Sequence, residues 1–258
     1  MPPRPVEIVP NYLLRTIPPD ELRTLEPHLK PEHLERGAVL FEPGAPIERL
    51  VFVHRGIVSL LSYSGRGKGE SIEVAVVGAE GVVADEAVLY ASRLTHRAMV
   101  QLPGEGSAIG LALLQQMLPS LPCLHERILR HLHLLMTQLS QSVVCSRFHP
   151  TSQRLARWLL TCRDRSGTDT LSLTQELLSH MLGVPRTWVT RIAGEFQEQG
   201  LIGYRSGVIT IHAAEALERC ACECYRVTHA QLEEYGGLDA ANRCKPANGR
   251  VSEANRCQ

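Results

Sequence analysis

Hydrophobic positions change their period along the chain, and the changes mark out elements. "PPDELRTLEPHL" (18–29) reads as a helix with Asp20 and Glu21 near its start. From Glu32 to about Ile109 the texture turns to short β-rich runs: "AVLFEPG", "RLVFVHRG", "IVSLLSYS", "IEVAVVG" and "HRAMVQLPG". Glycines separate these runs, and short strands with regular turn signals suggest a barrel or a sandwich. From about Leu121 to Arg147 the period is helical, and Leu124, Ile128, Leu132, Leu135, Leu139 and Val143 form a narrow stripe close to a heptad seam. A stripe on so long a helix suits pairing with a second copy, although it would also serve to pack the helix on the β region. Pro150 marks a boundary. Beyond it Trp158 and Leu159 are candidate core anchors, and "AAEALERCACECYRVTHAQLEEY" reads as a further helix. Residues 1–11 read as a loose leader, and the polar stretch after Gly236 as a disordered tail.

The segment "TQELLSHMLGVPRTWVTRIAGEF" (174–196) carries a proline between two helical patterns. Thr174 is an N-cap and Glu176 lies in the first turn. Leu177, Leu178, Met181 and Leu182 make one apolar face. Gly183 suits the left-handed residue that ends a helix, and Pro185 the first turn of the next. In that second helix Val189, Ile192, Ala193 and Phe196 face inward, which leaves Arg186, Thr187, Thr190 and Arg191 outward. "LIGYRSGVITI" then signals a hairpin. Helix, tight turn, helix and hairpin make a winged helix-turn-helix, whose second helix enters a DNA major groove. Two core helices with solvated arginines would give part of this pattern; the whole order favours DNA.

Charge adds little support. The 258-residue chain has a formal net charge of zero, and strongly basic chains are the ones that advertise nucleic acid. Residues 151–212 hold seven arginines against five carboxylates, so backbone N–H groups and hydroxyls are expected to share the phosphate contacts. No signal-like apolar core opens the chain, and no uncharged apolar run reaches the roughly 18 residues of a membrane helix. A cytoplasmic location is expected.

Other chemistry is sparse. "SGRGKGE" lacks the spacing of a phosphate-binding loop and reads as a hairpin tip. Cys220, Cys222 and Cys224 offer soft ligands, but on one helix residues two apart point about 200° apart, so Cys222 leaves the face that Cys220 and Cys224 share. Small buried or solvated thiols are the expectation there, with no metal site. His125, His131 and His133 have no i,i+4 pairing and read as polar interface residues. No catalytic motif is present, and neither an enzyme nor a cofactor is expected.

In this order the pieces resemble the Crp–Fnr family of bacterial transcription regulators over roughly residues 30–212. The strongest marks are "LFEPGAPIERLVFVHRGIVSL", the long helix and "LTQELLSHMLGVPRTWVTRIAGEFQEQGLI". The resemblance implies a β-roll sensor of cyclic-nucleotide-binding type, a dimer helix and a C-terminal winged helix-turn-helix on palindromic operators. It places Arg186 and Arg191 where family members contact bases. Thr187 stands where cyclic-AMP-responsive members often have an acid, which implies a different operator at that base pair. Trp188 falls at a position that tends to face the sugar–phosphate wall, or else it lies in the core beside Ile192. The sensor departs further. Ala84-Asp85 stands for the family's ribose-binding Gly-Glu pair and His96-Arg97 for its phosphate-binding Arg-Ser pair. Glu86 and Arg97 survive one place late, and a one-residue shift in a strand turns Arg97 to the opposite face.

These readings give an α+β fold: an N-terminal antiparallel β-roll (jelly-roll-like), a long dimerisation helix and a C-terminal winged helix-turn-helix. The expected boundaries are 1–30 for the leader and first helix, 31–118 for the sensor, 119–148 for the dimer helix, 149–212 for the DNA-binding domain and 213–258 for a helix and tail. DNA contacts are expected from Thr174, Gln175, Arg186, Thr187, Trp188, Thr190, Arg191 and Arg205, and a ligand pocket at Asp85, Glu86, His96 and Arg97. Expected partners are double-stranded DNA, a second copy of the chain and RNA polymerase, with no membrane. The effector is left open, cyclic AMP being disfavoured. The alternative is a cyclic-nucleotide or redox- or metal-responsive receptor using a shifted pocket or the tail cysteines.

Overall fold

The short apolar runs before residue 111 pair into one antiparallel sheet in the computed structural model, which describes residues 11–64 and 71–241. Apart from Asn11 and Ser64, the leader and the glycine-rich hairpin tip lie outside the described residues, as does the tail after residue 241. Helices α1 (Tyr12–Thr16) and α2 (Pro19–Leu25) precede six strands: β1 (Lys30–Leu34), β2 (Val39–Phe41), β3 (Arg49–Tyr63), β4 (Ser71–Val77), β5 (Val82–Val83) and β6 (Arg97–Gly110). The path is β1–β6–β3–β4, with β2 on β6 and β5 on β3. The two long strands pair almost end to end, from Arg49↔Gly110 to Leu61↔Arg97. β1 and β5 use one end of this pair, and β2 and β4 the other. One ribbon thus serves both halves of a roll.

The bend falls where the register shifts between Val53 and Val58, since bulges add local twist. Two glycines make it feasible. Gly56 has φ +92°, and a Cβ there would sit 2.6 Å from the Leu102 carbonyl oxygen; one on Gly104 would sit 2.1 Å from that of Arg55.

Helix α3 (Leu111–Met117) leads to α4 (Pro122–Phe148). The Glu21 carboxylate caps α4, accepting from the backbone N–H groups of Cys123 and Leu124 at 2.9 Å each. The stripe expected to face a second copy does not lie on one face of α4. Leu124, Ile128 and Leu135 are buried in the chain's own core with β-roll residues such as Phe52 and Val83. Leu132 is half-buried, while Leu139 and Val143 are exposed. Four exposed apolar side chains, Leu129, Met136, Leu139 and Val143, with the half-buried Leu132, run at separations of three, four, three and four, and Val144 and Phe148 are exposed beyond them. The helix therefore carries two apolar stripes, one on the β-roll and one facing solvent, and the expected seam draws from both.

The C-terminal part runs α5 (Thr151–Ser166), β7 (Thr170–Ser172), α6 (Gln175–Leu182), α7 (Arg186–Glu198), β8 (Ile202–Arg205), β9 (Val208–Ile211), α8 (Ala214–Cys220) and α9 (Cys224–Ala241). The single helix expected after residue 213 is broken, because Ala221 is extended (φ −79°, ψ 156°) and α9 begins afresh at Cys224. Helix α9 then packs along α4, and the Tyr12 hydroxyl donates to the Tyr235 carbonyl oxygen at 2.8 Å. Trp158, Leu159, Leu178, Val189 and Phe196 make a second core that takes in Ile57, Leu61, Val76 and Leu102 of the sheet. The fold is α+β, with the helical domain seated against one face of the β-roll.

Candidate nucleic-acid interface and sensor pocket

The helix-turn-helix is built as its local chemistry dictates. Thr174 caps α6, its Oγ1 accepting from Leu177 N–H at 3.1 Å. Gly183 ends α6 in the left-handed region (φ 61°), and Pro185 starts α7. Val189, Ile192, Ala193 and Phe196 are buried, which holds the helix by one face. Its other face presents Arg186, Thr187, Trp188, Thr190 and Arg191, all exposed. Trp188 is 52% exposed and does not join Ile192 in the core.

Gln175 reaches across from α6, its Oε1 accepting from Thr190 Oγ1 at 2.8 Å. Arg191 pairs with Glu195 one turn on, at 2.8 Å, an exposed i,i+4 pair of small energy that a base or phosphate can displace. Strands β8 and β9 form the wing. Ser206 and Gly207 both have positive φ, 52° and 75°, the signature of a two-residue type I′ turn. Arg205 is exposed beside it. The residues expected to touch DNA are thus exposed on α6, α7 and the wing, except Gln175, which is half-buried. Of the remaining arginines, Arg163 is engaged by Asp169 and Arg165 by Glu80.

The four sensor residues are not all brought together. Ala84 adopts a left-handed conformation (φ 68°, ψ 31°) at the head of a 3-10 turn, Asp85–Leu89. A glycine would take this shape at no steric cost, whereas alanine is strained by roughly 1–2 kcal/mol. Asp85 is buried, and its Oδ2 lies 2.7 Å from His131 Nδ1 on α4. His131 is itself fully buried, a partner that helical spacing alone did not reveal. Glu86 stands 3.6 Å from His96 Nδ1. Burial, with the Asp85 charge adding to it, pushes the Glu86 carboxyl up to about 7. Burial also holds the His96 imidazole below its usual value, so the neutral form is favoured.

Arg97 points elsewhere. Its Nε donates to Glu42 Oε2 at 2.8 Å, its Nη1 donates to the Tyr63 hydroxyl at 2.7 Å, and its guanidinium covers the Tyr63 ring. The β3–β6 register runs unbroken from Val58↔Val100 to Leu61↔Arg97, and the irregularity on the other side belongs to β2. No bulge turns Arg97 inward, while its neighbour Ala98 is fully buried.

A polar chain that sequence spacing could not foresee links the two domains. Trp158 Nε1 on α5 donates to Glu73 Oε1 on β4 at 2.8 Å. Ser59 Oγ lies 2.7 Å from Glu73 Oε2 and 2.6 Å from Gln101 Oε1, and Gln101 Nε2 donates to Cys162 Sγ. Beside it, Arg165 Nε donates to Glu80 Oε1 at 2.8 Å. Burial opposes charge on Glu80, yet the Arg165 guanidinium prevails and holds its carboxyl below the usual value. Gly183, the turn of the helix-turn-helix, lies against Ser71 and Ile72 of β4. The turn of the helix-turn-helix therefore touches strand β4 of the β-roll.

Comparison with known proteins agrees with this geometry. Residues 153–220 match the Crp-like helix-turn-helix domain. The chain is 28% identical over 197 residues to the global nitrogen regulator of a Nostoc species, covering 73% of this chain and 87% of that protein. The structure of FixK2 from Bradyrhizobium japonicum superposes with a TM-score of 0.64 at 13% identity, covering 75% of this chain and 98% of that one. The c-di-GMP-responsive global regulator CLP of Xanthomonas campestris gives 0.63 at 16% identity, with the same coverage. At these identities the two structures speak for the fold. Among the described residues, no helix is long and apolar enough to cross a membrane.

Proposed function

We propose, since the chain belongs to the Crp–Fnr family of transcription regulators, that it binds a palindromic operator in double-stranded DNA as a homodimer. The observation that carries this reading is the outward row of α7. Arg186, Thr187, Trp188, Thr190 and Arg191 are all exposed on a helix whose opposite face is locked in a core. A helix held so can enter a major groove about 12 Å wide, where the exposed pairing of Arg191 with Glu195 gives way to a base or phosphate. Arg186 and Arg191 read base edges, Thr174, Gln175 and Arg205 hold the backbone, and Trp188 packs on sugar. Thr187 supplies no carboxylate, so the operator differs from that of cyclic-AMP-responsive relatives at the base pair it meets.

The second copy docks on the stripe of exposed Leu129, Met136, Leu139 and Val143 and half-buried Leu132. Its alternating separations of three and four are those of a two-helix seam. A dimer sets two recognition helices on half-sites about 34 Å apart. The protein acts in the cytoplasm, as a regulator and not an enzyme, with RNA polymerase as the partner that responds to it.

Cyclic AMP is not the effector. A buried phosphodiester needs a cation aimed at it. The place for one holds Asp85, Glu86 and a His96 whose neutral form is favoured, while Arg97 is engaged by Glu42 and Tyr63. The sensor spans 31–118, the dimer helix 119–148 and the DNA-binding domain 149–212.

The test is selection of bound DNA from a random pool by the purified full chain, followed by sedimentation of the complex. The expected product is an inverted repeat bound by two chains. Recovery of unrelated sequences, or one chain per site, would overturn the reading.

A further inference from the structure

The cysteines around residue 222 do not stand on one helix. The extended Ala221 separates α8 from α9, so Cys222 and Cys224 lie in the turn that opens α9, where Cys222 accepts from Tyr225 N–H through its carbonyl. Both turn toward the C-terminal end of α4. There Cys145 and His149 stand four residues apart, on one side of the helix end. Cys145 Sγ lies 3.5 Å from Cys222 Sγ, and Cys224 Sγ lies 3.4 Å from His149 Nδ1. All four donor atoms fall within 4.8 Å of one another.

A tetrahedron with bonds of about 2.3 Å to sulfur and 2.0–2.1 Å to nitrogen has edges of roughly 3.5–3.8 Å. Two edges are near that length already, and side-chain torsions close the others. The three cysteines are buried and none is in a disulfide. Thiols are weak hydrogen-bonding groups, and a cluster of three with an imidazole has little reason to converge on its own account.

We propose that Cys145, His149, Cys222 and Cys224 form a four-coordinate zinc(II) site that fastens the end of α4 to the start of α9. Soft thiolates and an imidazole select zinc over the hard cations magnesium and calcium. Four protein donors in a buried setting make a closed, structural site without an open position for catalysis.

The surroundings complete the chemistry. His149 Nε2 lies 3.0 Å from Glu223 Oε1, the carboxylate–imidazole pairing that fixes a ligating histidine's tautomer and leaves Nδ1 for the metal. Gln141 Nε2 donates to Cys224 Sγ at 3.0 Å. Three thiolates around a divalent ion leave one negative charge, and the positive charges of Arg154 and Arg157 act on the cluster. Binding releases the thiol protons to solvent and changes no oxidation state.

The location gives the site its consequence. His149 is the residue at which α4 ends and Pro150 the one before α5 begins. The metal therefore clamps the junction between α4 and α5 with ligands from the segment that follows the helix-turn-helix in sequence.

The test is cobalt(II) titration of the metal-stripped full chain, together with zinc analysis of the protein as purified. One zinc per chain is expected, in wild type and Cys220→Ser alike. Cys145→Ser and Cys222→Ser are expected to lose it by tenfold or more in affinity. Cobalt is expected to give the intense visible bands of a tetrahedral thiolate site at one equivalent. A wild-type chain that takes up no cobalt, or one in which Cys145 and Cys222 are joined as a disulfide, overturns the proposal. So does zinc retained equally by all three variants. The titration uses wild type alone and decides the matter even where a serine variant fails to fold.

Discussion

Trp158 on α5 donates its indole N–H to the carboxylate of Glu73 on β4 at 2.8 Å, and so ties the helical domain to the β-roll. The carboxylate is walled in by Ser59 and Trp158, although the residue as a whole keeps some exposure. Burial pushes its pKa up to about 7 from an ordinary 4.5, against the lowering effects of Ser59, Arg157 and Trp158. Between those two values the folded protein binds more protons than the unfolded one. Stability therefore falls as pH rises from about 4.5 to 7 and levels off above.

At about 1.4 kcal/mol per pH unit, that interval bounds the Glu73 contribution at roughly 3 kcal/mol, less what solvent screening removes. Glu73→Gln keeps the hydrogen bonds and removes the titration. Chemical denaturation of both proteins from pH 5 to 8 is expected to show their difference shrinking toward low pH. Glu86, also pushed up to about 7 by burial, gives wild type and variant the same slope and cancels. A difference that stays constant across the range rejects the assignment.

The two stripes of α4 separate dimerisation from folding. Met136→Asp with Leu139→Asp places charges in the exposed stripe and is expected to yield folded monomers with weakened operator binding. Leu124→Ala opens a cavity in the chain's own core and is expected to cost about 2–5 kcal/mol of stability. Light scattering and thermal melts distinguish them. Monomeric wild type, in solution and on DNA, removes the seam.

Arg191→Ala is expected to cost about 1–3 kcal/mol at one base pair and to relax selectivity there. Its pairing with Glu195 is exposed and adds little to stability. Equal loss on operator and random DNA, with a shallower salt dependence, would instead assign Arg191 to phosphate.

Calorimetric titration with cyclic AMP and cyclic GMP is expected to show no binding in the micromolar range. The relevant contrast is Arg97→Ala. The guanidinium is held by Glu42 and Tyr63 on the outer side of β6, so its loss is expected to alter neither ligand's behaviour. Micromolar binding that disappears in this variant contradicts the pocket's description.

Local chemistry alone determined the helix-turn-helix. The Thr174 cap, the Gly183 stop, the Pro185 restart and the inward row Val189, Ile192, Ala193 and Phe196 each act within one turn of the chain, and such effects are written in adjacent residues. The outward side of Arg97 was legible for the same reason, because a strand alternates every residue. Tertiary structure decided the rest. Period could not say which of two stripes on α4 meets the β-roll, since both are apolar and the partner surface is distant in sequence. Nor could it place Asp85 on His131, forty-six residues away. The cysteine cluster is the sharpest case. One extended residue, Ala221, redirects Cys222, and only the packing of α9 along α4 brings Cys145 and His149 to meet it. Ligands from separate elements converge through the fold's long-range contacts, and no local rule of spacing carries that information.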